Sequence, residues 1–327
     1  MRTGPLASVS LASASVDLDS LPHYCRIHGL DERLLDERAR RLVYGVALPR
    51  LLECFERAGA PATLFAIGED LALPGASAAL AAAHASGHEV ASHSFSHDYA
   101  LSRRAPGDIL EDLARADAAL EAATGRAPVG FRAPGYTLSA ALYRACEARG
   151  YRYASSTFPA APYYAAKATV MGALALARRP SRSVLDSPRV LLAPRTPYWP
   201  DPAAPYRRGE GRVLELPVSV TPGLRFPVIG TFVATLPGAV TASLYRALRR
   251  DALFNLELHA VDALDASDGI PEALVRRQRD LRVRASLKLE RLAALLARVR
   301  AERELLPLCQ AAERLAPQGR PSGADAP

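Results

Sequence analysis

Lysine is nearly missing from this 327-residue chain: Lys167 and Lys288 are its two, and arginine supplies the rest of the 41 basic residues. Against 34 acidic residues this gives a formal charge of +7 and an isoelectric point near 9.4. The arginines are spread along the chain and aromatics make up only 6% of it. A nucleic-acid surface of basic side chains interleaved with aromatics is therefore excluded, while an anionic substrate stays open. Cysteine is scarce as well. Cys25, Cys54, Cys146 and Cys309 lie far apart without CxxC spacing, which reads as free thiols in a reducing compartment rather than as staples.

Long unbroken hydrophobic runs are also lacking. Phe226 to Tyr245 is uncharged, but Pro227, Gly230, Pro237 and Gly238 punctuate it, so strand and turn fit better than a membrane span. Tyr163 to Ala177 is apolar but too short to cross, and could lie on a membrane surface. The opening MRTGPLASVSLASAS has a basic residue and an A-S-A triplet, yet Pro5 and four serines make a poor signal-peptide core. Cleavage there would remove most of a strand with a chemical task, so the expectation is an intact cytoplasmic chain.

What is present, 49% hydrophobic and 23% charged residues, describes an ordinary globular enzyme. Short apolar strands alternate with amphipathic helices: Ser8 to Asp17, Ala62 to Ile67, Glu89 to Ser92, Val129 to Arg132, Tyr151 to Ser155, Val213 to Leu216 and Leu253 to His259 read as strands. Helices are expected over Pro49 to Ala58, Asp108 to Thr124, stopping at Gly125, and Leu138 to Arg149, stopping at Gly150. Seven such units suggest a (β/α) barrel with its chemistry at the carboxyl ends of the strands. The expected organisation is one catalytic domain over 1–316, with 158–211 as a proline-, arginine- and tyrosine-rich lid, and a disordered tail over 317–327. Pro271 to about Leu306 reads as a long helix closing the barrel floor, since its leucines keep helical but not heptad spacing.

Two histidine pairs have i, i+4 spacing. His84 and His88 are separated by Gly87 and read as structural, whereas His93 and His97 follow a strand in ASHSFSHDYA, where a loop would present both. Such a pair wants a carboxylate as third ligand. Asp17 and Asp19, at the end of the first strand in SASVDLDSL, point the same way from an extended chain. Two acids on one side of an apolar strand end need a metal for one and a cation for the other. GFRAPGY delivers Arg132, able to orient a carboxylate through a bidentate contact, and then a turn whose backbone N–H groups could hold an oxyanion. In FNLELHAVD, Asn255, Glu257 and His259 share one strand face, with His259 nearest the mouth as a candidate general acid.

With this ordered set on the page, the aspartate pair, H-S-x-x-H over His93 to His97, R-x-P over Arg132 to Pro134 and the late strand ending in histidine, the chain resembles the polysaccharide deacetylase family, carbohydrate esterase family four. The resemblance spans Val9 to Ala263. It implies a distorted (β/α)7 barrel of that type and a divalent metal, usually zinc. It implies further that water activated on the metal attacks an N-acyl carbonyl. On these residues Asp17 would be the base, Asp19, His93 and His97 the ligands, and Arg132 the residue that orients Asp17. A backbone N–H near Gly135 or Tyr136 would serve the oxyanion, and His259 would protonate the leaving amine. Two departures stand out: many members have adjacent aspartates where this chain has Asp-Leu-Asp, as in intracellular branches, and Glu257 replaces the usual leucine. That glutamate could tune His259 or bind a substrate cation. ELHAVD is similar to the late motif of deformylases acting on formamido-arabinose attached to undecaprenyl phosphate.

The expected substrate is therefore an acetylated or formylated amino sugar on a lipid or nucleotide phosphate. The lid, with its apolar stretch and Arg178, Arg179, Arg182, Arg189 and Arg195, would make peripheral membrane contact. Equally open at this stage is a buried lid helix with solvated arginines. Competing readings are a small-amide hydrolase of the allantoinase-like kind and a catalytically silent barrel that binds a sugar or lipid carrier.

Overall fold

A computed structural model describes residues 10–176 and 184–316. Strand β1 (Leu11–Asp17) sets the frame through alternation of its side chains. Ala12, Ala14 and Val16 pack into the core shared with the helices. Ser13, Ser15 and Asp17 take the opposite, inner face. Their small size matters, because serines leave room for a longer polar side chain to cross the interior.

The remaining strands follow in order: β2 (Ala62–Ala66), β3 (Glu89–Ser92), β4 (Gly130–Phe131), β5 (Tyr153–Ala154), β6 (Pro200–Asp201), β7 (Ala204–Arg208), β8 (Leu214–Glu215), β9 (Leu253–His259) and β10 (Glu304–Leu305). The sheet runs β9-β1-β2-β3-β4-β5-β8 with every pairing parallel. These are the seven strands expected, in a distorted (β/α)7 barrel, with β4, β5 and β8 trimmed to two residues each. Residues 8 and 9 lie outside the described residues. Register does functional work at β1 and β9: Leu11 pairs with Leu253 and so on to Asp17 with His259, which fixes these two side by side at the mouth.

Between β8 and β9 there is no ladder among the described residues. Instead Asn255 holds the seam: its side-chain amide donates to the Leu216 carbonyl at 3.0 Å, its backbone N–H donates to Ser219 Oγ at 2.9 Å, and its carbonyl accepts from Ser219 N–H at 3.1 Å.

At the opposite end the floor is plugged by the helix Leu308–Leu315, whose Leu308, Ala311, Ala312 and Leu315 meet Leu11, Phe65, Ala91, Tyr153, Leu214 and Leu253. Leu308 N–H donates to Thr63 Oγ1 and Cys309 N–H to Glu89 Oε2. The long helix expected over Pro271 to Leu306 is thus corrected twice. It is broken into Glu272–Val275, a 3-10 turn Arg279–Arg282 and Ala285–Glu302, because Asp265 caps Ala285 N–H at 2.6 Å and forces a fresh start there. It packs against the helices Leu48–Ala58 and Gly230–Thr235 rather than under the barrel.

Two other expectations change. Phe226 to Tyr245 forms helices Gly230–Thr235 and Gly238–Ala247, with Pro237 at the second N-cap, instead of strand and turn. Gly230 is required there, since a Cβ would sit 2.2 Å from Asp262 Oδ2. Within 158–211, where a lid is expected, the first part is the helix Ala161–Leu176, which contributes Tyr163, Lys167 and Val170 to the wall of a cavity. The second part is the antiparallel β6–β7 hairpin, tied to the barrel's outer helices through Tyr206 and Gly211, which crowds Tyr143. Arg178, Arg179 and Arg182 of the lid, and the tail 317–327, lie outside the described residues. No described helix is long and apolar enough to cross a membrane. The four cysteines are unpaired.

Leu308 is fully buried, so Leu308→Ala is expected to cost about 2–5 kcal/mol by removing the plug's central contact. Urea unfolding measures it, and a loss under about 1 kcal/mol would mean that the plug adds little.

Candidate active site and metal centre

Arg132 is fully buried, and four of its five N–H donors bond inside the barrel. Nη1 donates to Asp17 Oδ1 at 2.6 Å, Nη2 to Ser15 Oγ and Ser155 Oγ at 2.8 Å, and Nε to the Ser155 carbonyl at 2.9 Å. Its guanidinium carbon lies 4.1 Å from the Phe65 ring centroid. The contact to Asp17 is through one nitrogen, not the bidentate fork expected from the sequence, because the second nitrogen is taken by the two serines. Asp17 Oδ2 is thereby left facing the mouth. It accepts from the Tyr136 hydroxyl at 3.2 Å and lies 3.9 Å from His93 Nε2 and 4.0 Å from His259 Nε2.

Asp19, two residues on, sits against the histidine pair. Its Oδ1 is 3.5 Å from His93 Nε2 and its Oδ2 is 3.3 Å from His97 Nε2. One ligand atom from each of the three falls within 4.8 Å of the others. His93 Nδ1 is 2.8 Å from the Arg132 carbonyl. A carbonyl can only accept, so Nδ1 carries the proton and the Nε2 lone pair is turned to Asp19. Both ring nitrogens of His97 and Asp19 Oδ1 are buried without a hydrogen-bond partner. Orphaned buried atoms of this kind, converging on one point with an O, N, N donor set, fit a divalent cation of the zinc type. Burial pushes His97 well below the usual histidine range, keeping it neutral as a ligand must be. Burial would raise the Asp19 carboxyl, but the adjacent His97 and His93 outweigh it and hold the group well below the usual range.

The loop carrying the histidines is strained, with positive φ at Ser94 (67°) and His97 (49°). Asp112, from the helix Pro106–Thr124, compensates by accepting from Phe95 N–H, Ser96 N–H and Ser96 Oγ at 2.8, 3.2 and 2.6 Å. Asp70 braces the other ligand loop, accepting from Ser20 Oγ at 2.8 Å, and lies 3.3 Å from His23 Nε2, whose ring centroid is 4.6 Å from that of His97. Sequence reading missed Asp112, Asp70 and His23.

Glu257 Oε1 lies 2.7 Å from His259 Nδ1. Burial disfavours an imidazolium there, but Glu257, then Asp17 and Asp19, outweigh it and raise His259 well above the usual histidine range. Its backbone N–H donates to Asp262 Oδ2 at 3.0 Å. Lys288, also missed, donates to the carbonyls of Val261, Leu264 and Asp280 and so pins the turn after His259.

The oxyanion expectation is corrected in part: Tyr136 N–H donates to the Ala133 carbonyl at 3.0 Å, so that amide is spent on the turn and Tyr136 reaches the site through its hydroxyl. Gly135 lines the cavity with φ of 63°, where a Cβ would be 2.5 Å from Tyr99. All nine residues singled out in the sequence come together: Asp17, Asp19, His93, His97, Gly135, Tyr136, Glu257 and His259 line one cavity of about 410 Å³, and Arg132 lies beneath it. His84 and His88 are elsewhere, with His88 Nδ1 accepting from Ala62 N–H.

Residues 44–154 match the family model described as polysaccharide deacetylase. These findings support that family. Among curated proteins, a peptidoglycan deacetylase of Helicobacter pylori is 29% identical over 163 residues, 49% of this chain and 54% of its own. The chain thus spans about half the length of the curated relative it matches. Among solved structures, a candidate polysaccharide deacetylase from Mycobacterium smegmatis superposes with a TM-score of 0.63 at 18% identity, over 100% of this chain and 97% of its own. A second such candidate, from Pseudomonas aeruginosa PAO1, gives 0.58 at 18% over 95% and 92%. Puue Allantoinase gives 0.55 at 15% over 96% and 95%. At these identities the likeness is one of fold, the parallel (β/α)7 barrel of polysaccharide deacetylases.

Asp112→Ala should weaken zinc binding about 10- to 100-fold by freeing the histidine loop, read by competition with a chromophoric chelator. Unchanged affinity would mean that the loop holds its strained shape without Asp112.

Proposed function

We propose that the chain is a metal-dependent hydrolase that removes an N-acyl group, acetyl or formyl, from an amino sugar, and that residues 10–316 act as one catalytic unit. The observation that carries this is the convergence of an Asp19–His93–His97 cluster, a buried carboxylate and a histidine paired with a glutamate on one cavity. Zinc is the preferred metal, given two imidazoles and one carboxylate. Bound there, a divalent cation would supply Lewis-acid polarisation of an amide carbonyl and acidify water.

The chain's own groups supply the rest. Asp17 Oδ2, turned to the mouth because Arg132 holds Oδ1, would take a proton from the attacking water. The Tyr136 hydroxyl, 3.2 Å from that oxygen, would orient it. On the far side His259, held protonated by Glu257, would deliver a proton to the leaving amine, which must leave neutral for an amide to cleave. Arg132 is a positioning residue, since buried Ser15, Ser155 and Phe65 surround it on the sides away from Asp17. A full complement of polar groups supports catalysis over a silent binding barrel.

For the substrate, the lid helix Ala161–Leu176 is the informative part. It carries one charge in sixteen residues, and Val170 and Leu176 are exposed. An apolar helix beside the cavity mouth fits a sugar carried on a lipid phosphate, with the helix resting on the membrane surface. Four unpaired cysteines fit a reducing, cytoplasmic compartment.

The test is metal analysis together with acetate and formate release from acylated amino sugars. About one zinc per chain is expected, lost in Asp19→Ala and His93→Ala, with Asp17→Asn keeping the metal but losing about 10²- to 10⁴-fold in kcat. Metal without turnover on any acyl amide would leave a binding barrel. A pH profile tests His259. Its raised pKa keeps the acid protonated as pH rises, and activity is lost only on passing that raised value. Glu257→Gln removes the main cause, so the alkaline limb of kcat/KM should move down by about one pH unit or more. An unmoved limb would assign it to another group.

A further inference from the structure

The metal-facing half of the cavity is rich in carboxylates, with Asp17, Asp19 and Glu257 all on its wall. Asp17 and Glu257 there are already paired with Arg132 and His259, so their charges are spent within the wall. Phe158, Tyr163, Val170, Met171 and Ile229 also line the cavity, and its His28 and Gln278 hydrogen bond to one another at 3.0 Å. One cation remains. Lys167 faces the cavity from the lid helix, on the same face as Tyr163, Ala166, Val170 and Met171, at the spacing that aligns side chains along one side of a helix.

Among the described residues its ammonium forms no hydrogen bond or ion pair, and the one acid whose charge bears on it is Asp186. The Asp186 carboxylate is held elsewhere: the single Tyr206 O–H is shared between its oxygens at 2.6 and 2.7 Å, and Oδ1 also accepts from Ser187 N–H. Burial lowers the Lys167 pKa to about 8, so at neutral pH it remains mainly charged. A half-buried ammonium without a partner is costly, and an anion arriving in the cavity would relieve that cost.

We propose that Lys167 is the specificity residue of this site, selecting substrates that carry a phosphate or other anionic group on the acylated sugar. The proposal rests on the amide-hydrolase reading for the meaning of the bound sugar, but the anion site can be measured without the reaction. Arginine at this position would keep the charge, while methionine would keep the length and the apolar stem.

The experiment compares binding of glucose 1-phosphate and glucose, neither of which has an amide to cleave, to the zinc-loaded full chain by calorimetry. The phosphate is expected to bind about tenfold more tightly than the neutral sugar, with the ratio falling towards one in Lys167→Met and recovering in Lys167→Arg. Matching melting temperatures of the three proteins would exclude unfolding as the cause. A ratio near one in the native chain, or one that persists in Lys167→Met, overturns the proposal. Octyl phosphate against inorganic phosphate distinguishes the sources: a gain from the alkyl chain that Val170→Ser removes points to a lipid-borne phosphate, and equal affinity to a soluble ester. A Lys167-dependent ratio in a chain that hydrolyses no amide would sink the hydrolase reading and leave the anion site standing.

Discussion

A guanidinium with no solvent at all is tolerated only where its donors find acceptors, and that requirement organises the barrel around Arg132. Its partners come from two strand regions, β1 through Ser15 and Asp17 and the segment after β5 through Ser155, with Phe65 of β2 beneath its face. Removing Asp17 would leave the buried guanidinium uncompensated, which costs far more than a surface ion pair contributes. The serines that make β1 unpromising as a hydrophobic strand are what allow this side chain to cross. Because one Asp17 oxygen is held from below, the other is aimed at the mouth, and the parallel register of β9 on β1 brings His259 to it.

From that fixed point the site divides into two electrostatic halves. Asp17 is balanced by Arg132, and His259 is balanced by Glu257, so each pair is close to neutral before any ligand arrives. Asp19 has no comparable partner: its neighbours are two histidines, one of them kept neutral by burial. A buried carboxylate beside a neutral imidazole is the place in this cavity where a further positive charge is most favourable. The same reasoning explains why Glu257 is tolerated where a leucine would pack well. It sits against His259 at 2.7 Å, and each carries the desolvation cost of the other.

Much of this was legible in the sequence because it is local. Alternation along SASVDLD and FNLELH states which side chains share a face, and i, i+4 spacing after a strand states that two imidazoles emerge together; neither needs knowledge of the rest of the fold. The supports were not legible because they are not local. Asp112 reaches the histidine loop from a helix that begins ten residues later, with nothing in its own helical turn marking it as a cap for someone else's backbone. Lys288 closes a turn more than twenty residues away. Asp70 and His23 come together only because β1 and β2 are neighbours. The Phe226–Tyr245 segment was misread for a related reason: its prolines and glycines suit turns, but Pro237 and Gly238 are equally good at starting a helix, and packing of Gly230 against Leu258 and Asp262 decides between the two.

The lid carries this argument to its end. In the barrel Asp17 and Glu257 have their partners built in, and Lys288 sits in a cage of carbonyls. Lys167 departs from that economy, on a helix whose other residues facing the cavity are apolar or aromatic. In a chain with two lysines, one is fully spent on structure and the other is left facing the cavity unsatisfied. One cavity thus carries a carboxylate–histidine cluster, a paired base, a paired histidine and, from the lid helix, an apolar wall with an ammonium that no described side chain bonds.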